Sequence, residues 1–234
     1  MARLPRFVLP LPGHPQHVIV RGNDRQAIFC REEDYRFYLN KLKDAVLKHD
    51  CELHAFVLMT NHAHLLITPH QENAIGKVIQ MLGRYYVQYF NSAYRRTGTL
   101  WEGRYRAALV DSDNYALTCY RYIELNPVRA GMVKHPAEYP WSSYRYNALG
   151  SADGFTAKMI KPHGLYQGLG PTPELRQASY QALFDNCIPQ ATLEEIREMT
   201  NKAWLLGSDR FREEIEARLN RRCQKQKVGR PKVD

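Results

Sequence analysis

No apolar run in this sequence approaches the roughly 20 residues that a bilayer-spanning helix needs. The N-terminal MARLPRFVLPLPGHPQHV is broken by prolines where an export signal would carry an unbroken apolar core. The expectation is a soluble, unexported, cytoplasmic protein. Cysteine is sparse and unpaired: Cys30, Cys51, Cys119, Cys187 and Cys223 are odd in number, widely scattered and without a CxxC pair. Neither a zinc centre nor a redox pair is suggested, and free thiols in a reducing cytosol are expected. No internal repeat organises the chain. What is plentiful is positive charge, with 33 Lys and Arg against 24 Asp and Glu, a formal charge of +9 and a pI near 9.3. That balance favours a polyanionic partner such as nucleic acid, although a basic soluble protein without that role shows the same numbers. At 234 residues the chain can bury a normal core, as one domain with an appendage or as two small domains.

Periodicity divides the chain. HVIV at 17–20 alternates and is β-branched, a short strand, and RGNDR at 21–25 follows as a basic turn with Arg21 and Arg25 at its mouth. Between 32 and 48, Tyr35, Tyr38, Leu39, Leu42, Val46 and Leu47 recur at helical spacing. Runs at 52–59 and 62–68, split by Thr60-Asn61, predict an antiparallel hairpin. A second helix is expected over 72–95, and LWEGRYRAALV at 100–110 reads as one strand. Asp111-Ser112-Asp113 offers N-cap residues for a third helix that should stop at Pro127. The order βαββαβ is that of a ferredoxin-like antiparallel sheet, here α+β with an added helix, and many unrelated functions use it.

Residues 134–172 are rich in Pro, Gly, Ser and Tyr and read as an irregular wrap. Thr172-Pro173 opens a helix to about Asn186, Thr192 with Glu195 forms a capping box for one to about Leu205, and Ser208 caps another. The expected division is a domain at 1–150, a helical module at 151–222 and a flexible basic tail at 223–234. In that tail Gly229-Arg230-Pro231 has the core of an AT-hook, and unspecific phosphate contact is the other reading.

Two constellations carry chemistry. His62 and His64 alternate with Ala63 on one strand, so both imidazoles leave the same face about 7 Å apart and can share one cation. Two satisfied histidines on a hairpin face are the bland alternative. Tyr122 and Asn126 are four apart on the third helix, which sets a phenol one turn from an amide oxygen that can ligate a hard cation. A core tyrosine with a C-terminal cap fits that segment too.

MTNHAHLLI (59–67), LWEGRY (100–105), RYIELNPVRAGMV (121–133), YPWSSY (139–144) and RGNDRQAIF (21–29) together resemble the HUH single-strand transposases, in particular the REP-associated tyrosine transposases. The resemblance runs over about residues 10–150, and Thr60 departs from it where proline is common, which should alter only the hairpin turn. It implies a DNA transposase and nuclease with Tyr122 as nucleophile, and His62, His64 and Asn126 as ligands of magnesium or manganese. The implied substrate is single-stranded DNA carrying a hairpin, from repetitive extragenic palindromes, cut and rejoined through a 5′-phosphotyrosine by a nucleoid-associated protein. Monomer and homodimer stay open. The proton acceptor also stays open among the cation, a water and Glu52. For DNA contacts Arg21, Asn23, Arg104 and Arg230 are the candidates, with Trp101 and Tyr105 either stacking on bases or filling the core. A relaxase is disfavoured by the short chain without a helicase region. An immobile hairpin-binding regulator is the reading from another class, and an RNA-binding ferredoxin-like module would want exposed aromatics where the histidines stand.

Overall fold

A computed structural model describes residues 11–151 and 156–220. Strand β1 (Gln16–Arg21) leads into helix α1 (Glu32–Lys48), then strands β2 (Cys51–Met59) and β3 (His62–Pro69), helix α2 (Ala74–Ala93) and strand β4 (Arg106–Val110). Helix α3 (Ser112–Glu124) and the short α4 (Asn126–Arg129) follow, then α5 (Tyr144–Leu149), α6 (Thr156–Met159) and α7 (Gly164–Gln167). Helix α8 (Pro173–Ala182), helix α9 (Gln190–Lys202), strand β5 (Leu205–Leu206) and helix α10 (Asp209–Leu219) complete the described chain.

The sheet order is β2-β3-β1-β4-β5, antiparallel except for the last pair. Its first four strands have the ferredoxin-like order, an α+β fold. Strand alternation sends Val18, Val20, Leu58, Ala63, Leu65 and Ile67 to the face that α1 and α2 cover, where they meet Leu42, Val78, Leu82 and Phe90. The opposite face presents Val57, Met59 and Leu66 to α3, with Tyr120, Tyr122 and Ile123. A register shift between Leu53 and Ala55 resets the alternation of β2, so that Leu53 before it and Phe56 and Leu58 after it all join the α1–α2 face. The β2 edge is closed by the irregular wrap: Leu58 N–H donates to Trp141 O at 2.9 Å, and Lys161 N–H donates to Leu53 O at 2.8 Å.

Three sequence expectations change. The strand at 100–110 shrinks to Arg106–Val110, because Gly103 takes φ +68° and the Leu100–Tyr105 run folds back as a loop under α2. The third helix stops before Pro127 as expected: α3 closes at Glu124, and proline sits at the start of the separate α4, where a missing N–H costs nothing. Thr192 lies inside the first turn of α9, capped at Pro189, so the capping box does not form. Leu205-Leu206, read as a helix end, instead adds a parallel strand to β4. Thr172 and Ser208 do cap as expected, accepting from Leu175 N–H and Phe211 N–H at 3.3 Å each. The tail, with its Gly229-Arg230-Pro231 and Cys223, lies outside the described residues.

Candidate active site

The pairing of β1 with β3 sets the site's frame. Ile19 faces His64 and Arg21 faces His62 across the ladder, while His17, two residues before Ile19, projects to the α3 side with them. Sequence reasoning gave His17 no role beyond its strand. Its imidazole is fully buried and meets His64 at 2.8 Å, Nε2 to Nδ1. The His62 and His64 rings stand T-shaped with centroids 4.9 Å apart.

His62 is oriented by the turn beside it. Asn61 Nδ2 donates to Arg25 O at 3.1 Å, which turns its Oδ1 toward His62 Nδ1 at 2.6 Å. An amide oxygen can only accept, so His62 carries its proton on Nδ1 and keeps the Nε2 lone pair. The same turn is locked to the basic turn after β1, with Gly22 N–H donating to Asn61 O at 2.9 Å. Only glycine fits at 22, since a Cβ there would lie 2.3 Å from Gln26 O. Asp24 and Arg25 both take positive φ (49° and 56°), an unusual pair for residues with side chains, and the turn beside His62 is where that strain is held.

Tyr122 comes from α3. Its ring lies 5.9 Å from His64 and 5.5 Å from His17, edge-on to each, and the residue is 5% exposed. Helical hydrogen bonds cross the α3–α4 junction, with Leu125 N–H to Arg121 O and Arg129 N–H to Leu125 O at 2.9 Å each, so Asn126 keeps its place one turn beyond Tyr122. The Asn126 side-chain nitrogen is buried without a hydrogen-bond partner. Arg129, in the RYIELNPVRAGMV segment, is a residue that the sequence pattern gives no role; its guanidinium sits 4.4 Å over the Tyr122 ring and donates to Tyr122 O at 2.6 Å. Tyr120 points elsewhere: it is fully buried and its hydroxyl accepts from His163 N–H at 3.1 Å. Glu52 pairs with His70 and Lys161 at the far end of β2, roughly 23 Å along the strand from the end that meets His62, and is no base for Tyr122.

Burial decides the protonation states. It drives His17 down to about 3 and His62 to about 4, and puts His64 well below the ordinary histidine value, with Arg129 and Arg21 adding repulsion. Neutral imidazoles are the form that binds metal. Burial also lowers Arg129 to about 10, which leaves it charged at neutral pH. The pair of neutral imidazoles thus suits a divalent cation, whereas the unpartnered Asn126 atom is its amide nitrogen, which donates and is not itself a ligand. Among the described residues no group of three or more His, Cys, Asp or Glu is arranged to hold a metal ion, at this site or elsewhere.

Of the proposed DNA contacts, Arg21 and Arg104 border a cavity of about 520 Å³ between the end of β1, α2 and the 101–105 loop, floored by Trp101 and Tyr105. Gly83 of α2 leaves room there, since a Cβ would lie 3.3 Å from Trp101 Nε1. Asn23 is exposed on the turn, its N–H donating to Leu100 O at 2.8 Å. Arg230 lies outside the described residues.

Residues 13–126 match the family model described as "Transposase IS200 like". Among solved structures, one described as a REP-associated tyrosine transposase bound to a REP hairpin aligns at 17% identity with a TM-score of 0.50, covering 67% of this chain and 90% of its own. A Deinococcus radiodurans R1 protein described as a candidate transposase aligns at 22% identity and a TM-score of 0.36, covering 53% and 96%. The first likeness is one of fold. No curated protein matches the sequence. No helix among the described residues is long and apolar enough to cross a membrane.

Proposed function

Residues 13–126 belong to the IS200-like transposase family, and from that premise we propose that the chain cuts and rejoins single-stranded DNA through a covalent bond to Tyr122. The observation that carries this is the meeting of Tyr122 with the His62–His64 pair in a buried, cationic corner, with Asn126 one helical turn away. In the reaction the Tyr122 oxygen attacks phosphorus in line. A tyrosyl O–P bond forms as the P–O3′ bond breaks, the phenol gives up its proton, and the departing 3′ oxygen takes one up. The bond energy stays in the 5′-phosphotyrosine, so a 3′ hydroxyl of another strand can reverse the exchange without ATP.

Arg129 lies over the phenol ring, where its charge offsets the anion formed as the proton leaves. His62, His64 and Asn126 would hold magnesium or manganese, which when bound polarises a non-bridging oxygen of the scissile phosphate. These ligands are neutral and stand near Arg21 and Arg129, so a phosphodiester that brings negative charge strengthens cation binding. Arg21 and Arg104 suit phosphates, and the Trp101 cavity suits an unpaired base beside a hairpin. By this reading the partner is single-stranded, hairpin-bearing DNA of the repetitive extragenic palindrome class, met in the cytoplasm at the nucleoid.

The test is incubation of wild type and Tyr122→Phe with labelled hairpin DNA from around the gene, with manganese or EDTA, on a denaturing protein gel. The expected outcome is a metal-dependent covalent band absent from Tyr122→Phe. Tight binding with no adduct in any metal would leave a hairpin-binding regulator instead, and a band that survives the substitution would mean another tyrosine.

A further inference from the structure

Three buried hydrogen bonds run outward from His64 in series. His64 Nδ1 meets His17 Nε2 at 2.8 Å, His17 Nδ1 meets Thr200 Oγ1 at 2.9 Å, and the Thr200 hydroxyl donates to Ile196 O at 2.7 Å. All three side chains are buried. The two imidazoles are within 13° of coplanar with centroids 5.1 Å apart, so they meet edge to edge, as an in-plane N–H···N bond requires.

The direction of this series follows from its last member. A carbonyl oxygen can only accept, and a threonine hydroxyl has one proton. With that proton on Ile196 O, Thr200 Oγ1 is left to accept, and His17 must be the donor through Nδ1–H. A neutral His17 then has a bare Nε2, so the proton in the contact with His64 belongs to His64 Nδ1. The remaining nitrogen of His64, Nε2, is left with its lone pair.

We infer that Thr200 and His17 are positioning residues that set the tautomer of His64 and so keep its Nε2 open as a ligand, an inference that rests on the metal reading of His64 given above. Thr200 belongs to α9, outside residues 13–126 that match the family model. A helix far along the chain therefore reaches the site through hydrogen-bond polarity. His62 is set differently, by its neighbour Asn61. One ligand depends on a local turn and the other on the C-terminal region.

The experiment uses the full chain with ¹⁵N-labelled histidine. Long-range ¹H–¹⁵N spectra of the metal-free protein near pH 7.5 read the tautomers of His17 and His64, and manganese binding is then titrated with hairpin DNA bound. Wild type and Thr200→Ser should show Nδ1–H on both rings. Thr200→Val, of nearly the same volume, removes the acceptor and should shift both rings toward Nε2–H and weaken manganese binding about tenfold, while Thr200→Ser stays within about twofold. A wild-type His64 carrying its proton on Nε2 overturns the inference without any need of the variants. Tautomers that switch in Thr200→Val with no loss of manganese affinity overturn the positioning role. If His64→Ala binds manganese as wild type does, the metal reading fails, whatever the tautomers are.

Discussion

The two faces of the sheet are built on different principles. Toward α1 and α2 the strands offer Val18, Val20, Leu58, Leu65 and Ile67, and the helices answer with Leu42, Val78, Leu82 and rings such as Tyr38 and Tyr86. Toward α3 the same strands bury His17 and His64 among hydrogen bonds, and α3 brings Tyr122 and Glu124. Glu124 accepts from Ser143 at 2.6 Å, Asn147 at 2.8 Å and Tyr180 at 2.7 Å. The first face holds by removing apolar area from water. The second holds by donors and acceptors that must each find a partner, so its geometry is tightly specified, and the candidate chemistry sits there.

This contrast can be broken in three ways. The largest effect is expected on the apolar face: Leu42→Ala, at a fully buried position, should cost about 3 kcal/mol of stability by cavity formation. Manganese and DNA binding per folded molecule should be unchanged, and urea unfolding beside a titration checks both. A loss of binding in molecules that remain folded would mean that the faces are coupled.

The second effect is on the polar face and runs with pH. Burial raises Glu124 from 4.5 to about 7, above its unfolded value, so its contribution is fully present below 4.5 and is lost as pH rises through 7. Glu124→Gln should gain on wild type by about 3 kcal/mol between pH 4.5 and 7.5. His17, His54 and His62 act oppositely, their folded values of about 3, 4 and 4 lying below 6.5. Their contribution is present above 6.5 and is lost as pH falls toward 4, so wild type should still lose stability in acid. Melting curves of both proteins across that range decide it, and parallel profiles would sink the assignment to Glu124.

The smallest effect is on the DNA rim. Arg104→Ala should weaken hairpin-DNA binding by less than about 1 kcal/mol at moderate salt and lower the log–log salt slope by about 1, with no change in melting temperature. An unchanged slope would take Arg104 out of the phosphate contacts.

Legibility in the sequence followed the same division. Helix α1 was readable because its burial is amphipathic, and the hairpin strands because they are short apolar runs, buried on both faces, with a break between them; both signals are local. The loop at 100–105 was misread because its aromatic residues look β-forming, whereas Gly103 and the space at Gly83 tuck Trp101 under a helix. Strand β5 is two residues long and exists only because β4 lies beside it, so no pattern in Leu205-Leu206 could announce it. At the site, the HxH spacing and the four-residue step from Tyr122 to Asn126 were visible because each is local to one element. His17, Arg129 and Thr200 were not, because strand pairing and helix packing bring them in from 47, 65 and 136 positions away from His64.

The sequence by itself determined the alternation that puts His62 and His64 on one face, the helix that carries Tyr122, and the cationic balance of the whole, since these depend on residue type and short spacing. Only the tertiary structure decided that the histidines are buried and neutral, that Arg129 covers the phenol, and that a threonine of α9 faces His17. Those depend on register and on desolvation, and both belong to the assembled fold.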